Sequence, residues 1–252
     1  MIVGIGAISN PETVISATAG LPEEISLRFY LTPGQAPVIP PYAEAVSGPD
    51  PGLLMVSDLA AGRIDAAVRG TLPAGSTLSA LKEVCGADHL ERVALLETAY
   101  GVRFLLAPVG IDEGWTVARK VALIAKARTL ARRIGIDDSV AVLSGGRMGD
   151  IGRHPQVDRS LADAELVARL TSSVHSEILI EDAVGSHGVI IAPDGISGNL
   201  IFRTLVFLGK GAAHGAPVVN INKIFVDTSR ASLNYSNAIL LAATLAKCKK
   251  TH

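Results

Sequence analysis

Short aliphatic segments alternate with helix-like segments along this chain, and that alternation most constrains the fold. Strand-like runs begin with "IVGIGA" at the N-terminus and recur at Ile25–Leu31, Ile64–Gly70 and Val102–Gly110, with "ERVALLE" preceding the last of these. Strands that are aliphatic along their whole length are typical of parallel sheets covered by helices on both faces. The sequence therefore predicts an α/β protein with mostly parallel sheets.

Several segments carry helical periodicity. The longest, Glu113–Arg133, has an apolar stripe, leaves Lys120 largely outside that stripe and stops at Gly135. The segment "DRSLADAELVARLTSSV" predicts an amphipathic helix with Asp158 as a possible N-cap. The remaining predicted helices are Ile196–Leu208 and about Leu233–Lys247.

Two segments interrupt this alternation. Thr32–Gly52 holds six of the 13 prolines, which predicts a long loop or extended arm and no sheet element. The segment "SEILIEDAV" is strand-like, at least in part. We place a domain boundary near Leu106–Gly110, with a return crossing near Asn222–Asp227. These crossings predict a discontinuous first α/β domain of residues 1–106 plus 225–252, and a second of residues 107–224.

Composition narrows the function classes. The chain has 252 residues, 48% of them hydrophobic, and a formal net charge of -1 at pH 7, so bulk charge does not favour nucleic acid or a membrane surface. Cys85 and Cys248 lie far apart and are interpreted as reduced thiols of a cytoplasmic protein. The six histidines have no metal-ligand spacing, and Ala238–Ala246 is shorter than the ~20 residues of a membrane span. A soluble protein with a small-molecule ligand is expected.

A glycine-rich loop follows the strand "SVAVL". Ser144, Gly145 and Gly146 offer accessible backbone amides, and Arg147 and Arg153 lie close by in the sequence. This composition suits a phosphate or carboxylate. The alternative is a flexible surface loop with solvated arginines.

A second turn, "APDGISGN", joins an aliphatic strand to a helix. Gly198 permits close backbone approach, and Ser197 or Asn199 stands at the helix N-terminus, where amides favour an anion. Asp194 would repel an anion unless it binds a hydroxyl, an amine or an arginine. Helix capping by Asp194 or Ser197 is the alternative, and both readings can hold together.

Two further strand ends carry an arginine beside hydroxyl groups. Arg230 follows Thr228 and Ser229, and it is able to grip an anion through two parallel hydrogen bonds. Arg69 and Gly70 end an earlier strand and offer another anion contact. The alternative for the Thr228–Arg230 end is a helix-capping hydroxyl beside a surface arginine. The alternative for the other end is a strand-end ion pair of Arg69.

The two segments "APDGISGNLIFRTLVFLGKGAAHGAPVV" and "VDTSRAS" together resemble the C-terminal half of the phosphate acetyl- and butyryltransferase family, and "SVAVLSGGRMGD" resembles the strand and loop that precede it. The likeness spans about residues 64–245. More closely, the whole chain resembles the methanogen MtxX group, a methyltransferase-associated family also called a methanogenesis marker. The resemblance implies a two-domain α/β/α fold of the isocitrate/isopropylmalate dehydrogenase-like type, with an interdomain cleft and a homodimer.

The resemblance also implies residue roles. Ser229 and Arg230 match the family's catalytic Ser-Arg pair, which holds the phosphate and polarises the carbonyl while coenzyme A thiolate attacks an acyl phosphate. Asp194, Gly198 and Asn199 match the elbow, and Gly70 matches a loop glycine. Coenzyme A or a related thiol is the implied substrate, and no resident cofactor is certain.

The chain departs from the family at two places. The stretch "ASLNYSNA" after Arg230 lacks the family's carboxylate, and Pro73 stands where its histidine falls. Three functions follow: a transferase-fold protein that binds a phosphorylated or acyl-thioester molecule, a methyltransferase or accessory subunit of methanogenesis within a methyltransferase complex, and a non-catalytic ligand-sensing module.

Overall fold

The computed structural model describes residues 1–229 and 234–250, so the predicted site residue Arg230 lies outside the described residues. The chain forms two compact units. The first unit comprises Met1–Leu90 and His214–His252, and the second unit comprises Glu91–Ala213. The fold is mixed α/β, and among the described residues it contains two six-stranded sheets and eight α-helices.

In the first unit, helices cover a mostly parallel sheet on both faces. The strands are β1 (Ile2–Gly6), β2 (Ser26–Leu31), β3 (Ala43–Ser47), β4 (Ala66–Val68), β11 (Ala216–Pro217) and β12 (Phe225–Asp227). The helices are α1 (Pro11–Ser16), α2 (Pro51–Ala60), α3 (Ala74–Cys85) and α8 (Ser236–Lys250). The strand order is β11-β12-β4-β1-β2-β3, and β11 alone among these strands pairs antiparallel with its neighbour.

The core of the first unit lies on the two faces of this sheet. Val3, Ile5 and Leu27 face a cluster that includes Ile239 of α8, whereas Tyr30 and Ala67 face a cluster built with α2 and α3. The alternating burial of neighbouring strand residues on opposite faces follows from the two-residue period of a strand. Both faces are therefore apolar, as the aliphatic strands predict.

The second unit has a sheet with one antiparallel side. Its strands are β5 (Ala94–Glu97), β6 (Arg103–Ala107), β7 (Val140–Val142), β8 (Val174–His175), β9 (Val189–Ile191) and β10 (Ala212–Ala213). Its helices are α4 (Val117–Ile134), α5 (Pro155–Thr171), α6 (Ile180–Ser186) and α7 (Gly195–Phe207), with a short 3-10 helix at Met148–Asp150. The order is β10-β5-β6-β9-β7-β8, in which β6, β9, β7 and β8 run parallel.

Most of the predicted elements are present. The prediction of mostly parallel sheets is confirmed, and β5 and β6 form a hairpin whose turn contains Gly101 with a φ of 80°. Helix α4 ends at Gly135, which adopts the left-handed conformation with a φ of 71°. A left-handed residue at this position is a common helix terminator, and glycine takes it without a steric penalty.

Three expectations were wrong. The region Thr32–Gly52 contains β3, which pairs parallel with β2 along the sheet edge; its residues are largely exposed, so no aliphatic signal marks them. The segment "SEILIEDAV" contains α6 and no strand. Helix α5 begins at Pro155 with His154 as its N-cap, whereas Asp158 lies inside the helix and accepts a hydrogen bond from the Gly152 amide at 2.8 Å.

No helix within the described ranges is long and apolar enough to cross a membrane.

Candidate functional site

Three loops of the second unit meet at one edge of its sheet. Strand β9 pairs parallel with β6 on one side and with β7 on the other, with Ile191 aligned to Ala107 and to Val142. The carboxyl ends of parallel strands share one edge, and ligands of open α/β sheets bind at that edge. The structure therefore brings the predicted Ser144–Arg147 loop and the Asp194–Asn199 elbow to neighbouring positions.

The loop after β7 is tied down by its own hydrogen bonds. Ser144 is 1% exposed, and its Oγ lies 2.9 Å from the Gly146 carbonyl oxygen and 2.9 Å from His175 Nε2. The Gly145 amide donates to Ser160 Oγ at 2.8 Å, and the Arg147 amide donates to Asp150 at 2.9 Å. The Ser144 amide donates to the Glu177 carbonyl oxygen at 2.7 Å, so two of the three amides that were expected to receive an anion, those of Ser144 and Gly145, already have acceptors. Arg147 is exposed.

His175 completes a hydrogen-bonded chain that the sequence did not reveal. Its Nδ1 lies 3.2 Å from Glu165 Oε2, while its Nε2 contacts Ser144. The Arg169 and His175 hydrogen bonds lower the pKa of the Glu165 carboxyl below its ordinary value. Nothing in the spacing of these residues signals the contact, because they come from three different elements.

Asp194 caps helix α7. Its Oδ1 accepts from the Ser197 amide at 2.8 Å, and both carboxylate oxygens lie 3.1 Å from Ser197 Oγ. Asn199 donates through Nδ2 to the Val109 carbonyl oxygen at 3.1 Å. The capping alternative is therefore observed, and it satisfies an N-terminal amide that would otherwise lack a partner.

Small residues in the elbow allow α7 to touch the loop after β6. A Cβ added to Gly195 would collide with the Gly110 carbonyl oxygen, and a Cβ added to Gly198 would collide with the Pro108 carbonyl oxygen. The Gly195 amide also donates to the Glu113 carbonyl oxygen at 3.1 Å. Close backbone approach, which the sequence predicted for Gly198, is thus made to another loop of the protein.

An ion pair between Arg92 and Glu113 anchors the loop after β6. Arg92 donates through Nε to Glu113 Oε1 at 2.6 Å and through its amide to Oε2 at 3.1 Å. Burial raises the pKa of the Glu113 carboxyl, although the Arg92 charge and hydrogen bonds act against that rise. This buried pair fixes the backbone on which α7 rests.

Lys120 lies in the interior, which corrects its assignment to the polar face of α4. The residue is 5% exposed, because α4 packs against α5 on one side and against β6 and β9 on another. Within the described residues, its ammonium group makes no hydrogen bond or ion pair. Burial lowers its pKa, and the Asp163 and Asp194 carboxylates act in the opposite direction.

The carboxyl edge of the sheet in the first unit collects the other predicted residues. Strands β4 and β12 are parallel neighbours, with Val68 aligned to Val226. The turn at Arg69–Gly70 therefore lies beside the turn at Thr228–Ser229. Gly70 has a φ of 59°, and a Cβ there would collide with the Gly6 carbonyl oxygen, so glycine suits this position.

Arg69 joins these two turns. It is 5% exposed, forms an ion pair through Nε with Asp227, and donates to the carbonyl oxygens of Thr228 and, at 2.7 Å, Leu72. Thr228 Oγ1 lies 3.3 Å from the Gly70 carbonyl oxygen. The strand-end ion pair, one of the two possibilities left open by the sequence, is present, and it holds the backbone that leads to Ser229.

Across residues 1–229 and 234–250, no group of three or more His, Cys, Asp or Glu side chains is arranged to hold an ion.

Sequence comparison connects this geometry to a family. No protein-family model matches the chain. The chain is 48% identical over 212 residues to the "Putative methyltransferase mtx subunit X" of Methanosarcina mazei, covering 82% of this chain and 76% of the relative. The chain belongs to the mtx subunit X family.

Solved structures show which fold this mtx subunit X family member shares. A branched-chain phosphotransacylase from Enterococcus faecalis V583 superposes with a TM-score of 0.74 at 18% identity, covering 98% of this chain and 99% of that one. A phosphotransacetylase from Streptococcus pyogenes gives a TM-score of 0.71 at 18% identity, covering 99% and 94%. The family member therefore has the phosphotransacylase fold.

Proposed function

We propose that this chain binds a small phosphorylated or acyl-thioester molecule and acts on it in the manner of a phosphate acyltransferase. The observation that carries the proposal is the Arg69 junction, which fixes the β4 and β12 turns side by side at the carboxyl edge of their sheet. Ser229 and Arg230 follow directly from that fixed backbone in the sequence. The phosphotransacylase fold supports the same reaction class.

The proposed reaction is acyl transfer between phosphate and a thiol. A thiolate, from coenzyme A or a related thiol, attacks the carbonyl carbon of an acyl phosphate, and the carbon–oxygen bond to phosphate breaks as the thioester forms. Ser229 and Arg230 hold the phosphate and polarise the carbonyl, and Gly70 and Thr228 line the same edge. Arg69 acts as a positioning residue, because its N–H groups bind Asp227 and two backbone carbonyls.

We also propose that the elbow and the loop of the second unit bind an anionic ligand. Ser144, Gly145, Gly146 and Arg147 form the loop after β7, and β7 pairs with β9, the strand that leads to the Asp194–Asn199 elbow. Arg147 is the exposed cation of that group, so it is the member best suited to meet an anionic part of the ligand.

Turnover of acetyl phosphate and butyryl phosphate with coenzyme A tests the proposal. We expect thioester formation by the wild-type chain and a loss of at least about a hundredfold in Arg230→Ala, since a charge-assisted contact to a transferring phosphoryl group is worth several kcal/mol. The matched control is Arg132→Ala, which should retain activity. Arg132 is an exposed arginine of α4 that pairs with Asp138. The proposal fails if no thioester forms and neither acyl phosphate raises the melting temperature. A thermal shift without turnover would instead assign the chain to ligand sensing.

A second candidate function rests on the names of the relatives. Several methanogen relatives are described as "Putative methyltransferase mtx subunit X", and a subunit name implies a larger methyltransferase assembly. We propose as the alternative that this chain is an accessory subunit of such a complex in methanogenesis. Affinity purification of the tagged chain from its native cells tests this idea. Recovery of a methyltransferase in fixed stoichiometry supports it, and recovery of the chain alone removes it.

We also propose a homodimer that buries the outer face of α7. Within this helix, the buried residues are Gly195 and Gly198, whereas Ile196, Leu200 and Phe207 are large apolar side chains that remain exposed, as does Leu208 just beyond its end. A contiguous exposed apolar surface is a common mark of a protein interface. Light scattering should give a dimer mass for the wild type and a monomer mass for Leu200→Asp. Val84→Asp, at a single exposed valine of α3, should remain dimeric, and a monomeric wild type would exclude the interface.

A further inference from the structure

Lys120 is a buried cation that has no direct partner in the protein. It is 5% exposed, and among the described residues its ammonium group forms neither a hydrogen bond nor an ion pair. Burying an ammonium group without a partner is unfavourable, and lysine in such a place gives up its proton readily. A buried amine kept under these conditions calls for a chemical reason.

The amine lies at the edge of the sheet where ligands of α/β proteins bind. Lys120 is in the first turns of α4, which begins after the loop that follows β6. Helices α5 and α7 also begin at this edge, after the loops that follow β7 and β9. The first turns of these three helices therefore lie along the same edge of the sheet in the second unit.

The charges around Lys120 balance one another. The Asp163 and Asp194 carboxylates act on its ammonium group, and so does the Arg159 guanidinium with the opposite sign. Asp163 pairs with Arg159 at 2.9 Å, and Asp194 is engaged by the Ser197 amide and hydroxyl. Two carboxylates and two cations sum to no net charge around the amine.

The Nζ atom of Lys120 is not completely enclosed by the protein. Among the described residues, the fully enclosed side-chain polar atoms that lack a hydrogen bond are Thr77 Oγ1 and His187 Nδ1. Lys120 Nζ also lacks a hydrogen bond and is not one of them, so it is not sealed from solvent. Part of the Nζ surface therefore contacts solvent, while the residue as a whole is 5% exposed.

We propose that Lys120 is the reactive amine of a carbonyl site, which takes a small aldehyde or ketone and holds it as an imine. The neutral Nζ attacks the carbonyl carbon, a proton moves from nitrogen to oxygen to give a carbinolamine, and loss of water forms the carbon–nitrogen double bond. The Asp163 and Asp194 carboxylates, whose charges act on Lys120, are able to exchange these protons. No oxidant or reductant is needed.

This inference does not rest on the proposed acyl transfer. Acyl phosphate turnover is tested through Arg230, whereas imine formation is tested through Lys120, and either result stands without the other. Burial, the missing direct partner and the position at the sheet edge carry the proposal. The lowered pKa of Lys120 supports it, because the neutral amine is the nucleophile.

Reductive trapping tests the proposal on the full chain. Acetaldehyde and pyruvate, one uncharged and one carrying a carboxylate, are each incubated with the protein at neutral pH, and cyanoborohydride converts any imine to a stable secondary amine. Mass spectrometry of the peptides then follows the rate of labelling at every lysine. We expect Lys120 to be labelled first by at least one probe and to carry more than half of the early adduct.

Internal controls keep the result interpretable. The exposed Lys210 and the helical Lys82 report the rate of ordinary lysines in the same sample. Lys120→Met should lose the early adduct, and Lys82→Met should keep it. Labelling of Lys120 no faster than Lys210 by either probe overturns the proposal, and this comparison in the wild type holds even if Lys120→Met fails to fold.

Discussion

The two units each bury one cation near the carboxyl edge of a sheet, within the part of the chain that the structure describes, and they treat it in opposite ways. Arg69 in the first unit binds Asp227 and the carbonyl oxygens of Leu72 and Thr228. Lys120 in the second unit is equally buried, yet it makes no hydrogen bond and no ion pair. Arg69 therefore stabilises the fold, whereas Lys120 is buried without contacts that stabilise its charge.

The free-energy cost of burying a charge explains why this difference is informative. A buried charge is retained without harm when ion pairs and hydrogen bonds replace its water, as they do for Arg69. A buried amine without such contacts lowers stability, and proteins keep such residues mainly where activity requires them. The comparison therefore assigns Arg69 a structural role and Lys120 a chemical one.

The largest expected effect is at Arg69. Arg69→Met removes the guanidinium from the buried Asp227 carboxylate and from two backbone carbonyls, and we expect a loss of about 3–5 kcal/mol in the free energy of unfolding. Urea denaturation measures it. Arg132→Met, at an exposed site, should change stability by less than about 0.5 kcal/mol. Equal effects of the two substitutions would remove the structural assignment of Arg69.

A smaller loss is expected where α7 meets the loop after β6, beside the Lys120 site. Gly198→Ala places a Cβ against the Pro108 carbonyl oxygen, and we expect a loss of about 3 kcal/mol from the resulting overpacking. Gly185→Ala in α6 is the matched control. No atom lies within 4 Å of its added Cβ, so helix propensity should make it neutral or more stable by up to about 1 kcal/mol. Equal stabilities for the two variants would show that the close approach does not constrain the elbow.

The smallest expected effect is a gain, and not a loss, in the free energy of unfolding. Lys120→Met removes a buried ammonium group without a partner, and we expect a gain on the order of 1 kcal/mol at neutral pH. Because the pKa of Lys120 is lowered by burial, the unfolded chain holds this proton more tightly than the folded one. The penalty is full below the folded pKa and disappears as pH rises to the ordinary lysine value, so the advantage of Lys120→Met should shrink with rising pH.

Thermal unfolding across this pH range, with Lys82→Met as the control, measures that gain. A loss of stability in Lys120→Met at neutral pH would mean that the ammonium group stabilises the fold, and the contrast with Arg69 would disappear.

Local sequence patterns predicted the α/β class because aliphatic strands and amphipathic helices each have a characteristic period. They failed for β3, since an exposed edge strand in a proline-rich segment lacks the aliphatic signal. They also failed for Lys120, because the period of α4 marks one apolar stripe, whereas α4 contacts both the sheet and α5. Position along a single helix does not reveal contacts on two sides.

The turns of the candidate site were predictable, but their partners were not. Strand ends followed by glycine, serine and arginine directed attention to residues 144–147, 194–199 and 228–230. The first two sets follow the neighbouring strands β7 and β9. Whether Asp194 caps a helix and whether Arg69 forms an ion pair depend on residues brought close by folding, in the latter case Asp227. Sequence left those alternatives open because each is compatible with the same local pattern.

Direct titration of Lys120 tests the central contrast most directly. With lysine side chains labelled with ¹³C at Cε, two-dimensional NMR follows each lysine through pH, and Lys120→Met assigns the signal. We predict a midpoint for Lys120 below the ordinary lysine value of about 10.4. A Lys120 midpoint at or above the ordinary value would show that its charge is paired, and the distinction between the two buried cations would be lost.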